Sequence, residues 1–443
     1  MNSRFRHRLP HWAAAIFFGF GVALNAGAQT EQPFSYSSDP VANQFMQSCF
    51  SSSQESSAPA PGCEAFYGVL YSDSPGGGSN AEALGEVVQQ IEPNQVPMLT
   101  NSTFLQQGQM TAVHSRLVAV HKGGGRGISV LNMPLYKDVA DSRPIAGTGS
   151  AGDDKAFADT PWGFFISGSY QNGDVDSSGN QDGFDYSTRS ITAGIDYRIG
   201  NSLVLGGSLA RGSTENKVKN HRGSADVDNW AAWFYGSYFP GEHVYVDWSL
   251  GYGHNDYDGK RRIDFESFGE SFSSGLTYDT DGRQYNASVT GGYDGNIGAW
   301  QYAGYLSLDW LKSTIDGYRE HGGDGFALAI DKQNAVSLLS SLGGRINHPF
   351  SLSTGVLVPG IDAAFVHQWR DEARRVNATF VDLPGAGGFS ITSRELDKTY
   401  FNIALSLTGV FKGGQSAYLR YQTVAARSDV SEHIIEAGYR LEF

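Results

Sequence analysis

Charge is scarce in this chain: Asp, Glu, Lys and Arg make up only 18% of its 443 residues. Acids outnumber bases, and the formal net charge of −14 disfavours nucleic acid as a partner. There are two cysteines, Cys49 and Cys63, separated too widely for a C-x-x-C redox pair. Beyond the first thirty residues there is no apolar run of about 18 residues, so no set of membrane helices is expected. The sequence lacks a Gly-x-Ser-x-Gly elbow, a Gly-Asp-Ser-Leu block and a His-Glu-x-x-His zinc pair. Gly123-Gly124-Gly125-Arg126-Gly127 has neither the lysine nor the preceding strand of a phosphate loop, and is read as a hinge. Neither a cofactor nor an enzymatic activity is expected.

What is abundant is glycine, 56 residues, and aromatic side chains, 13% of the chain. Without collagen-like or low-complexity periodicity, that mixture suits many twisted strands with aromatic girdles.

Residues 1–28 read as a secretory signal peptide: Arg4, Arg6 and Arg8, an apolar run over 12–24, then Ala26-Gly27-Ala28 before the cleavage point. Export would pair Cys49 with Cys63 as a structural disulfide, closing a loop worth roughly 3 kcal/mol on a chain-entropy estimate. The pair belongs to a short N-terminal module, 29–78. Its short helices, 41–50 and 63–71, flank a Ser-, Ala- and Pro-rich loop. Residues 79–122 read as helical. Ala83, Leu84, Val87, Val88 and Ile91 recur at helical spacing up to Pro93. A second helix over 104–121 puts Met110, Val113, Leu117 and Val120 on one side and Gln106, Gln107, Gln109 and Arg116 on the other. Residues 123–160 form a linker.

From Trp162 onward the period changes to two, and twelve segments carry an apolar row. The complementary rows hold Asp196, Arg198, Asp247, Asp294, Asp309, Arg345, Asp362, Arg420 and Arg440. A basic residue turned to lipid at midplane costs up to roughly 2–4 kcal/mol, whereas an aqueous lumen accepts both signs. The fold class is therefore all-β membrane: a twelve-stranded antiparallel transmembrane β-barrel over 161–443, preceded by a short α-helical segment. Short connections alternate with long ones at 171–186, 254–281, 314–332 and 371–396. A soluble β-sandwich would explain the strands but not this asymmetry or the signal peptide.

The last segment, SEHIIEAGYRLEF, has the apolar row Ile435, Ala437, Tyr439, Leu441 and Phe443. It resembles the terminal strand of Gram-negative outer-membrane barrels, which implies Tyr439, Leu441 and Phe443 as a signal read by the barrel-assembly machinery. The ordered set of helix, linker and twelve strands resembles the translocation unit of the autotransporter (type V secretion) family, over about 80–443. The matching helical text is ALGEVVQQIEPNQVPMLTNSTFLQQGQMTAVHSRLVAV, residues 83–120, with Ile91-Glu92-Pro93 and Ser115-Arg116-Leu117; Asn43-Gln44 and the two cysteines also resemble the family's pre-barrel region. The resemblance implies a monomeric barrel in outer-membrane lipid and lipopolysaccharide. A helix centred on Arg116 would lie inside it, and the N-terminal segment would be carried through the lumen to the surface or held in the periplasm. The chain departs from the family in offering only a short passenger, with no Gly/Asn-rich repeats.

Other readings stay open. The barrel could be a pore or a binding barrel. A phospholipase-type site would draw on Ser340 and His367. An omptin-like protease would draw on His254, Asp256 and Asp258, or on His321 with Asp324. The acidic residues Asp174, Asp176, Asp182 and Asp185 are read as solvated loop charge.

Overall fold

The computed structural model describes residues 40–53, 61–71, 81–91, 96–121, 129–130, 133–134 and most of 161–442. Residues 1–28, read from sequence as a signal peptide, most of the linker and Phe443 lie outside the described residues.

Twelve long strands form the body. We number them β1 (Trp162–Val175), β2 (Phe184–Ile199), β3 (Leu203–Val218), β4 (Gly223–Tyr238), β5 (Val244–Ser267), β6 (Glu270–Ile297), β7 (Trp300–Ile315), β8 (Gln333–Asn347), β9 (Gly355–Arg370), β10 (Thr399–Phe411), β11 (Gln415–Ala425) and β12 (Val430–Glu442). All neighbours pair antiparallel in chain order, and β12 returns to β1 from Val430↔Val175 to Glu442↔Gly163. The sheet is a closed ring, so no edge is left to face lipid. Among the described residues no helix is long and apolar enough to cross a membrane; strands make the crossing.

The outer face of the ring is apolar. Phe164, Ile166, Ile191, Leu250, Val289, Leu306, Ile361, Leu405, Leu419 and Ile435 are all exposed there. Their strand neighbours Ser167, Thr192, Asp196, Ser288, Thr290, Ser307, Thr408, Glu436 and Arg440 are buried inside. Alternation with the oily side outward is what a bilayer selects.

Above this band the pattern inverts. The expectation of a long loop over 254–281 is corrected: β5 and β6 are 24 and 28 residues long and run on as one hairpin. A strand needs only about 9–11 residues to cross. In the extension, Asp256, Asp258, Lys260, Arg262 and Asp264 face out, while Tyr257, Ile263, Leu276 and Tyr278 are buried inward. Water now surrounds the outer face, so the apolar row must turn inward. The connections at 314–332 and 371–396 are likewise not simple loops. Tyr318–Arg319, Leu328–Ile330, Arg375–Phe380 and Gly388–Thr392 make a separate four-stranded sheet.

Four helices precede the barrel: α1 (Pro40–Ser53), α2 (Pro61–Tyr71), α3 (Ala81–Ile91) and α4 (Val96–Val120). Proline opens α1 and α2, where its missing N–H costs nothing. The last helix starts eight residues before the expected 104, so the stretch after Pro97 is helical too. The first three helices stand on the long-connection rim.

The plugged lumen and its capped mouth

Helix α4 lies inside the ring. Its axis runs from the long-connection rim to the short-turn rim, as its contacts show in order. Near the long-connection end, Gln107 Nε2 donates to Glu432 Oε1 (3.0 Å) and Gln109 Nε2 to Asn229 Oδ1 (2.6 Å). Midway, Ser115 Oγ donates to Glu436 Oε2 (3.0 Å) and receives Arg440 Nη2 on its carbonyl (2.9 Å). At the short-turn end, His121 Nε2 lies 2.5 Å from Asp247 Oδ2, and Arg198 Nη2 donates to the carbonyl of Val120 (2.9 Å). A cation on the last carbonyls is the favourable sign for a helix C-terminus.

Arg116 makes the central anchor. Its Nε and Nη2 donate to the two oxygens of Asp196 at 2.6 and 2.8 Å, and Tyr235 Oη adds a bond to Oδ2 at 3.1 Å. Both charged partners are almost fully buried. Loss of the guanidinium would leave Asp196 uncompensated, at about 3–5 kcal/mol. The wall makes room with Gly163, where a Cβ would stand 2.1 Å from Arg116 Nη2. Gly108 likewise lets the helix approach β1, where a Cβ would be 3.2 Å from Ser169 Oγ. Apolar residues fill between these bonds: Val113, Leu117 and Val120 pack on Phe165, Val204, Trp233 and Tyr235.

The structure places all ten residues expected in the lumen on the inner side, in four groups. Arg116 holds Asp196. Arg198, Asp247 and Asp294 gather at the helix end, with Asp294 Oδ2 3.6 Å from His121 Nδ1. Arg345 pairs with Asp362 at 3.1 Å, and Tyr305 Oη donates to Asp362. Asp309, Arg420 and Arg440 line a cavity of about 230 Å³ between α4 and the far wall, and Arg440 sits over the Tyr418 ring. The residues that sequence reasoning missed are Glu432, Tyr235, Asn229 and His121. Glu432 shares a row with Arg440, and Asn229 and Tyr235 fall in the row opposite Trp230, Phe234 and Tyr238, a signal that period two could have supplied; His121, at the end of a helix, carries no such signal.

The cap closes the other end. Cys49 and Cys63 are disulfide-bonded and fully buried. Phe45 is the hub: its ring meets Phe66 (5.0 Å), Phe326 (4.6 Å, stacked) and Phe380 (5.0 Å). These residues form one apolar core with Val87, Ile91, Ile263, Leu276 and Leu328, so cap helices, small sheet and hairpin extension share an interior. Polar bonds fix the docking. Arg261 donates to the carbonyls of Gln90 (2.8 Å) and Ile91 (2.9 Å) at the end of α3 while paired with Glu320. Gly62 N donates to the Asp324 carbonyl at 2.7 Å.

The residues of the alternative readings fall at three separate places. Ser340 and His367 are register partners on the outer face. Yet Ser340 Oγ receives Trp369 Nε1 at 2.9 Å, and His367 Nδ1 faces Thr399 Oγ1 at 3.1 Å. Asp324 is engaged in cap docking, where its Oδ2 accepts from Ser274. His254, Asp256 and Asp281 bring one ligand atom each within 4.8 Å of one another on the outer face. Of the acidic residues read as loop charge, Asp182 is buried and pairs with Arg222 at 3.1 Å. Tyr439 is exposed on the outer face of β12 and Leu441 is partly exposed.

A closed twelve-stranded barrel with an apolar belt and a helix in its lumen defines an outer-membrane translocator barrel. The family model for the autotransporter beta-domain matches residues 164–422, more than half of the sequence, and the chain belongs to that family. An uncharacterised protein encoded between trpE and trpG in Pseudomonas putida is 28% identical over 209 residues, 46% of this chain and 33% of that protein. Esterase EstA of Pseudomonas aeruginosa is 26% identical over 230 residues, 51% of this chain and 34% of that one. The chain thus spans about a third of the length of these relatives. Among solved structures, the translocator domain of NalP from Neisseria meningitidis aligns with a TM-score of 0.49 at 16% identity, covering 64% of this chain and 89% of that one.

Proposed function

We propose that this protein carries its own N-terminal segment through the barrel lumen and keeps it, folded, as a cap on the far rim. The observation that carries this reading is the path of the chain. Helix α4 occupies the lumen with its N-terminal end at the long-connection rim, and α1–α3, upstream of it, are docked on that same rim. A segment made on the inner side of a membrane reaches that position by crossing it. The mechanism is steric and electrostatic, with no catalytic step. Lumen-facing Asp and Arg solvate the passing chain, and Arg116, on meeting Asp196, holds the helix as a plug. Tyr439, Leu441 and the terminal Phe443 would present β12 to the barrel-assembly machinery, giving a monomeric barrel among lipid and lipopolysaccharide.

An epitope inserted after Thr30 tests this in cells. Antibody labelling of intact cells is expected. Labelling only after the outer membrane is permeabilised would place the segment in the periplasm and overturn the reading.

A second reading, a small-solute pore, draws on the cavity of about 230 Å³ beside α4. Bilayer conductance separates the two: the plugged, capped barrel is expected to be silent.

A further inference from the structure

We propose that the outer face of β2–β7, directly above the apolar band, binds a phosphate-bearing lipid headgroup of the outer leaflet. The uppermost outward aromatics on this side are Tyr170, Trp230, Tyr252, Tyr285 and Trp310. Four cations sit among and just above them. Arg211 lies opposite Trp230 on β4, and Arg189 opposite Tyr170 on β1. Lys312 lies opposite Tyr285, and Arg283 is one outward position above that tyrosine, opposite His254. All four cations are exposed.

Three observations point to a ligand. Arg189, Arg211 and Lys312 have no carboxylate within ion-pair distance among the described residues, and Arg283 has only a long contact with Asp316 at 3.4 Å. The arc is denser on this side: β8–β12 present Val336, Ser340, His367, Thr399 and Thr423 near that level, with Arg370 opposite Leu338 and His433 opposite Thr423 as the exposed basic residues there. It is also one-ended. At the short-turn rim the outward positions are Trp162, Tyr197, Tyr238, Tyr293, Trp300 and their neighbours, and no described outward strand residue there is charged. Cations at the polar edge of a hydrocarbon band meet phosphate at the depth where acyl chains cover the aromatics below. Arginine's planar donor fork suits phosphate oxygens. The acids Asp228, Asp256 and Asp281 stand one outward position above Trp230, His254 and Arg283, on the register row that continues through Ser213 to Arg189. Lipopolysaccharide, whose lipid anchor carries phosphates, is the occupant this chemistry fits. The orientation proposed above decides only which leaflet the arc meets. The test is made on purified protein, so its outcome does not depend on where the N-terminal segment ends in cells.

Full-length barrel in detergent micelles is titrated with bisphosphorylated lipid A, with dephosphorylated lipid A and with inorganic phosphate. Bound lipid is read by native mass spectrometry, and folding by heat-modifiable gel mobility. Each Lys or Arg near an anionic lipid surface contributes about a fivefold gain in binding. The variant R189Q/R211Q/R283Q/K312Q is therefore expected to bind lipid A on the order of a hundredfold or more weakly, while migrating as a folded barrel. If that variant does not fold, R211Q/K312Q is read instead, with a loss of about 25-fold. Equal binding of dephosphorylated lipid A, or full affinity in the folded variant, overturns the proposal. Saturation by inorganic phosphate at the same concentrations would assign the arc to a free anion and overturn it too.

Discussion

The same strands obey opposite rules in two parts of the molecule. In the band that meets lipid, β5 sets Val246 and Leu250 outward and buries Asp247 and Ser249. A few residues further along the same strand, Asp256 and Asp258 face out and Tyr257 and Ile263 are buried. Strand geometry does not change between the two; the solvent does. Period two tells only that a strand has two faces, and the surroundings decide which face is oily. The switch falls at His254, where the outer solvent changes from hydrocarbon to water and the inner neighbour from α4 to the cap.

The strongest way to break this comparison is to empty the cap core. Phe45 is fully buried among three other phenyl rings. Phe45→Ala should cost the cap about 3–5 kcal/mol. If the two parts are independent, protease will cut the N-terminal segment of the folded variant while the heat-modifiable mobility of the barrel stays as in wild type. Joint loss of both signals would show that cap and barrel melt as one unit.

That dependence on surroundings also explains what could be read in advance. The twelve strands, the closed ring and the lumen residues were legible because lipid forces a long, regular alternation over Ile403, Leu405 and Leu407. The disulfide was legible from one pair of cysteines behind a segment that reads as an export signal. The extension of β5 and β6 was not, because its apolar residues are few and its charged face resembles a loop. The start of α4 was missed because Pro97, Thr100, Asn101 and Ser102 are poor or weak helix formers, so the text before Phe104 gives no helical signal. The cap sheet was invisible because Phe326 comes from one connection and Phe380 and Phe389 from another, and Phe326 and Phe380 come together on Phe45.

The sidedness itself can be sharpened with one substitution made at two heights. Leu405 faces out, near the middle of the apolar row of β10. Leu405→Arg should destabilise the barrel by roughly 2–4 kcal/mol, whereas Asp281→Arg, outward but above the band, should cost about 0–1 kcal/mol. Urea titrations of barrels refolded in vesicles measure both. Equal costs would place the lipid boundary elsewhere.

The smallest effect belongs to the charged rim between the two parts. Asp316, just past the end of β7, accepts from Lys332 Nζ at 2.9 Å and lies 3.4 Å from Arg283. The Lys332 hydrogen bond leads in holding its carboxyl below the usual aspartate range. With the folded value depressed, the contribution is present above the unfolded value and is lost as pH falls through the folded one. All three side chains are at least a third exposed, so solvent screens them. Asp316→Asn should therefore cost only about 0.2–1 kcal/mol at neutral pH. The difference from wild type should shrink as the buffer is taken below the aspartate range, and high salt should shrink it further. A deficit that persists in acid would mean that Asp316 acts through packing, and the rim would then belong with the buried cap and not with the solvated surface.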